Sequence, residues 1–247
     1  MKFDRVIAVK NNKIIFKDGN RAVKTFSGSG KKEEVFSEAL NHCKIESAVP
    51  QVPKLIEVGC INGKWAISYE LAKGKTLAQL MAEAPEEKGR YLELFTDIQC
   101  GIHQKSCPSL NKMKEITGEN VLKSQLDVTT RHTLYNELEK MPARARICHG
   151  DFEPSNVIIG ENGEACVVGW SRATQGEPAA DAALTYLLFR LNGDHTAAKE
   201  YLNLYCQKSN TDKQEIIKWI AIVAASRSVC EKETARKALL SWSNVVD

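Results

Sequence analysis

The run Ile147-Cys148-His149-Gly150-Asp151-Phe152-Glu153-Pro154-Ser155-Asn156-Val157-Ile158-Ile159 carries more information than any other part of this 247-residue chain. Its apolar end, Val157-Ile158-Ile159, reads as a short buried strand. The polar loop before it places one His, one Asp and one Asn at fixed offsets. That spacing suits phosphoryl transfer. Asp151 would hold and orient a substrate hydroxyl, and Asn156, five positions on, would turn back to a metal riding on nucleotide phosphates. Pro154 stiffens the turn between them, and Gly150 lets the backbone pass close to its neighbours. His-Gly-Asp alone is common in surface loops; the full His-Gly-Asp-x-x-x-x-Asn opening into a β-run is far more specific.

Beyond the loop stand Gly169-Trp170, Gly176-Glu177-Pro178, and Asp181 ahead of Leu184-Thr185-Tyr186-Leu187-Leu188. With these, most of the second half of the chain resembles the aminoglycoside phosphotransferase and choline kinase superfamily, which has a protein-kinase-like fold. There the corresponding motifs read Asp-Trp, Gly-Asp-Pro, and an Asp at the start of a helix. The resemblance implies an α+β, two-lobed architecture. Residues 1–72 would form a small nucleotide-binding lobe built on an antiparallel sheet, and residues 73–247 a larger, mainly helical catalytic and substrate lobe. It also implies ATP (or GTP) and Mg²⁺ as cofactors, with a small-molecule alcohol as acceptor. Glu38 would be the helix glutamate that pairs with Lys24. Tyr69-Glu70-Leu71 would be the hinge whose backbone takes the adenine edge. Asp181 would brace the catalytic loop without being catalytic itself, and residues 105–140 would help form the acceptor site. One departure stands out: Gly169 occupies the place of the family's metal-binding Asp. If losing that ligand costs about 4 kcal/mol, the rate falls roughly a thousandfold.

The N-terminal part is read from alternation and turn chemistry. Arg5–Lys10 and Lys13–Lys17 flank Asn11-Asn12 as a hairpin, and Asp18-Gly19-Asn20 turns into a third strand, Arg21–Phe26. Lys24 would project inward from that strand toward nucleotide phosphates. No Gly-x-Gly-x-x-Gly lies between the first two strands, and Ser27-Gly28-Ser29-Gly30 follows the third as a connector. Lys31–Ile45 has helical spacing, with Val35, Phe36, Ala39, Leu40 and Cys43 as its apolar face and Glu38 off that face. Two further strands, Val52–Gly59 and Lys64–Leu71, lie around Asn62-Gly63. Lys73-Gly74-Lys75-Thr76 is no Walker A loop, because residue 69, where the upstream Gly belongs, is Tyr. Helices are expected over 91–103, in parts of 105–140, and over 181–191, 195–207, 211–228 and 231–242. His103 reads as a packed structural histidine.

Composition narrows the functional classes. With 43% apolar residues the chain can bury one large core or two modest lobes. A net charge of +3 gives no electrostatic case for nucleic acid or a membrane surface. No apolar run approaches a membrane span and Met1-Lys2-Phe3-Asp4 has no signal-peptide pattern, so a cytoplasmic protein is expected. The eight cysteines form no Cys-x-x-Cys pair and read as reduced, buried thiols. Residues 105–140 offer no acidic cluster for a polycationic aminoglycoside. Two function classes follow. The first is a phosphotransferase with Asp151 orienting the hydroxyl, Asn156 on the metal and Lys24 on the phosphates. The second is a catalytically weak or inactive pseudokinase that binds nucleotide or a small molecule. A protein kinase is disfavoured by His-Gly-Asp in place of His-Arg-Asp.

Overall fold

A computed structural model describes residues 3–10, 13–26 and 32–243. In chain order the strands and helices begin with β1 (Arg5–Lys10), β2 (Lys13–Asp18), β3 (Arg21–Phe26), α1 (Lys32–Glu46), β4 (Leu55–Ile61), β5 (Lys64–Glu70), β6 (Lys75–Thr76) and α2 (Leu77–Glu83). They continue with α3 (Lys88–His103), α4 (Met113–Lys123), α5 (Val128–Lys140), β7 (Arg146–Cys148), β8 (Val157–Ile159), β9 (Ala165–Val167) and β10 (Thr174–Gly176). The chain then runs through α6 (Pro178–Leu191), α7 (His195–Ser209), α8 (Lys213–Ser228) and α9 (Glu233–Ser243).

Two compact units result. One comprises the chain up to Leu80 together with Pro154–Arg172, and the other comprises Met81–Glu153 and the chain from Ala173 onward. The sequence reading places its boundary near residue 72, and the first change of unit falls after Leu80. It has no counterpart for the return of Pro154–Arg172, which follows from strand pairing. β8 pairs with β6 on one side and β9 on the other.

The first unit is built on a five-stranded antiparallel sheet in the order β1-β2-β3-β5-β4. Helix α1 lays Val35 and Ala39 against Phe26 and Ile67. The expected apolar face of α1 is rotated. Phe36 and Leu40 are exposed, as is Cys43, and the buried positions are Val35, Glu38, Ala39, Asn41, His42 and Ile45. Polar partners draw these side chains inward: His42 Nε2 lies 2.6 Å from the Pro53 carbonyl, and Asn41 Nδ2 donates to the Ser171 carbonyl at 3.2 Å. The first strand of the later pair starts at Leu55, three residues beyond its sequence-based start at Val52, because Pro53 has no N–H for the ladder. The buried-thiol reading holds for Cys107 and Cys148, whereas Cys43, Cys60 and Cys230 are exposed.

The second unit is mainly helical. Phe95 of α3 stacks on Phe152 with ring centroids 4.5 Å apart, and Phe189 of α6 and Tyr201 of α7 close the same aromatic cluster. Each aromatic ring buried in this way contributes about 1.5–3 kcal/mol from its apolar area. The cluster seats Phe152, next to Asp151, in the core. The antiparallel pair β7–β10 carries the chain into the loop from the other side.

Candidate active site

In the second unit the loop from His149 to Glu153 hangs on one buried carboxylate. Asp181, in the first turn of α6, accepts the His149 N–H at 3.1 Å and the Gly150 N–H at 2.8 Å. It also takes Gln99 Nε2 at 3.3 Å and His103 Nε2 at 3.0 Å. Burial pushes the Asp181 carboxyl up, but His103 and the Gly150 N–H outweigh it and hold the group below the usual carboxylate range. His103 completes the brace through Tyr205, whose hydroxyl lies 2.8 Å from Nδ1. Both residues thus have the structural roles read from the sequence. Gly150 adopts φ +73°, a left-handed conformation that a bulkier residue would resist, and the chain turns there so that Asp151 N donates to His149 Nδ1 at 3.2 Å.

The Asp151 carboxylate is about a quarter exposed and has a partner that no sequence motif announces. Arg227, near the end of α8, donates from Nη2 to Asp151 Oδ1 at 2.7 Å and from Nη1 to the Gly150 carbonyl at 3.2 Å. Its Nε lies 2.7 Å from Glu231 Oε1. Burial works against the guanidinium charge, and Asp151 followed by Glu231 more than offsets it, so the pKa of Arg227 is raised further. Arg236 in turn donates to the carbonyls of Ser228 and Glu231, fixing the corner between α8 and α9. The guanidinium thus divides its fork between Asp151 Oδ1 and the Gly150 carbonyl and fixes the loop at both points. Residues 112–145 contribute most of the lining of a cavity of about 630 Å³, with Tyr135, Arg144 and Trp219 among its walls. Neither Asp151 nor Arg227 lines it.

In the first unit Lys24 Nζ donates to Glu38 Oε1, the pairing expected from the resemblance. Lys13 adds a second cation, its Nζ donating to Glu38 Oε2 at 3.2 Å. Tyr69 Oη donates to Glu38 Oε1 at 3.3 Å. Burial pushes the Glu38 carboxyl up, and Lys24 and then Lys13 outweigh it, leaving the pKa below the ordinary value. Glu38 is 4% exposed, so the alternative of a solvated helix carboxylate is removed. In the segment 69–71, which the resemblance implies as a hinge, Glu70 N donates to the Lys54 carbonyl at 2.8 Å and Leu71 N to the Asn20 carbonyl at 2.9 Å, so these two donors are already used within the unit.

Asn156 is buried, and its carbonyl accepts the Val168 N–H at 2.9 Å. Its side chain adjoins Gly169: a Cβ at position 169 would stand 3.1 Å from Asn156 Oδ1 and 3.2 Å from Cγ. Gly169 has φ +90°, where L-residues are rarely found. The two positions implied as a metal pair are therefore neighbours, but the donor set is one neutral amide. Mg²⁺ held by protein generally uses one or two carboxylates. Among the described residues no group of three or more His, Cys, Asp or Glu is placed to hold a metal. This donor set does not fit a protein-held Mg²⁺.

Residues 5–216 match the sequence profile of the phosphotransferase enzyme family. No curated protein matches the chain. Solved structures do match in fold. A choline/ethanolamine kinase family protein from Mesorhizobium loti is 11% identical, covering 98% of this chain and 86% of its own, with a TM-score of 0.62. Choline kinase LicA from Streptococcus pneumoniae is 13% identical over 96% of this chain and 92% of its own, also at 0.62. A thermostable mutant (D198A) of aminoglycoside phosphotransferase APH(4)-Ia, solved with ADP and hygromycin B, is 13% identical over 96% and 89%, at 0.67. At these identities the structures speak for the fold, an α+β kinase-like one with an N-terminal antiparallel sheet and a helical C-terminal part. The profile match extends over most of the sequence, and the chain belongs to the phosphotransferase enzyme family.

Proposed function

We propose that the protein transfers the γ-phosphate of ATP (or GTP) to a hydroxyl group of a small molecule. The observation that carries this reading is the Asp181-anchored loop, which presents Asp151 on a backbone fixed by two N–H bonds to a buried carboxylate. The acceptor hydroxyl donates to the Asp151 carboxylate, its oxygen attacks the γ-phosphorus, the bond to the β–γ bridging oxygen breaks, and ADP leaves. The hydroxyl proton ends on Asp151. Lys24, held by Glu38, meets the departing phosphate charge, and Arg227 is the positioning residue that keeps Asp151 oriented. Asn156 is the protein group left to meet a cation carried in on the phosphates.

A second reading, a nucleotide- or small-molecule-binding module with little turnover, is favoured by one observation: position 169 has no carboxylate and a backbone suited to glycine. Incubation with γ-labelled ATP and a panel of amino alcohols, sugars and nucleosides separates the two. Acceptor-dependent label transfer supports the first reading. A nucleotide-induced thermal shift without transfer to any acceptor supports the second.

A further inference from the structure

The resemblance gives Lys24 a role and leaves Lys13 without one. In the β2–β3 register Lys24 stands opposite Ile15 and Phe26 opposite Lys13, so Lys13, Ile15, Lys24 and Phe26 share one face of the ribbon. Both ammonium groups lie over the Phe26 ring, 4.9 Å and 5.8 Å from its centroid. They divide one carboxylate between them, Lys24 on Oε1 and Lys13 on Oε2 of Glu38. The side chains of Lys13, Lys24 and Glu38 are only 16%, 13% and 5% exposed. A second lysine brought this far out of water is an uncommon placement for a residue that merely decorates a strand.

Lys13 has one further partner, Glu34 Oε1 at 2.8 Å, on a side chain that is 44% exposed. An ion pair so open to solvent contributes little, and an incoming anion can replace it. The unit that holds these lysines also holds Gly169, where no carboxylate is present to recruit a metal. We infer that Lys13 is a second phosphate-binding lysine. It exchanges Glu34 for the polyphosphate of a nucleotide, and with Lys24 supplies positive charge that a protein-held metal would otherwise bring. The inference rests on the reading of this unit as a nucleotide site.

Calorimetric titration of the 247-residue protein with ATP and with AMP, each in EDTA and in Mg²⁺, tests it. The wild type is expected to bind ATP in EDTA. Lys13→Met should weaken that binding by about tenfold or more, the size of one lost charge-assisted contact, and leave AMP binding unchanged as the check on folding. Glu34→Gln alters an exposed side chain and is expected to tighten ATP binding in EDTA, because it removes the competing carboxylate. If Lys13→Met binds ATP as the wild type does, or if Glu34→Gln leaves ATP affinity unchanged or weaker, the inference is overturned and the nucleotide reading stands. Failure of the wild type to bind either nucleotide overturns both.

Discussion

In the proposed phosphotransfer the chemistry turns on Asp151 and Gly169, and each has a neighbour that limits what substitution can achieve. Replacing Gly169 with Asp would introduce the carboxylate that the resemblance implies at this position. At φ +90°, however, a side chain there costs about 1–2 kcal/mol in backbone strain, before the contact of its Cβ with Asn156 is counted. Gly169→Asp is therefore expected to lower the unfolding free energy in urea by at least that amount; a variant as stable as the wild type would show that the loop accommodates the carboxylate freely. Arg227 is the other constraint. Truncation to Ala removes the donors to Asp151 Oδ1 and the Gly150 carbonyl and takes Arg227 away from Glu231. The expected result is a fall in kcat of about tenfold or more with KM for ATP little changed, and partial recovery in Arg227→Lys. Equal losses in Ala and Lys variants, or an effect confined to KM, would remove Arg227 from the positioning role. Neither residue's setting was legible in advance. The Arg227–Asp151 pair spans 76 positions and belongs to no motif, and the φ of Gly169 depends on the chain around it.

Helix α1 shows where pattern reading meets its limit at the scale of an element. Its apolar residues suggest one face, but the helix turns a different one inward because Glu38, Asn41 and His42 all have partners inside the unit. Period-3.6 counting weighs apolar side chains and has no means of crediting a carboxylate that will meet two lysines. The strands were easier, since β1, β2, β3 and β5 alternate or end at turn residues that sequence displays directly. Asp181 was legible for the same reason as the His149–Asn156 loop: both sit at fixed offsets beside recognisable elements. Glu38 also makes a pH prediction. Its folded-state pKa is depressed below the ordinary 4.5, so its stabilisation is fully present above that value and is lost as pH falls through the lower folded value. Glu38→Gln is expected to cost about 3 kcal/mol at pH 7, as breaking a buried pair does, and to flatten the acid limb of the stability curve below pH 4.5. Superimposable acid limbs for variant and wild type would mean that Glu38 is not the group being titrated.

For the whole molecule, the His149–Asn156 motif is divided between the two compact units, with the change falling between Glu153 and Pro154. Residues on both sides are tied independently, His149 and Gly150 to Asp181, and Asn156 to Val168. The α+β, kinase-like fold was readable from the motif spacing and the N-terminal meander. The acceptor was not, because specificity is a matter of individual side chains, to which no spacing rule applies. No described helix is long and apolar enough to cross a membrane. The most direct test of the phosphotransferase reading is acceptor-dependent transfer of γ-label from ATP by the wild type and by Asp151→Asn, side by side. The account expects transfer by the wild type and a loss of about a hundredfold or more in the variant, with ATP binding retained in both. Transfer at the same rate in the two proteins would contradict it.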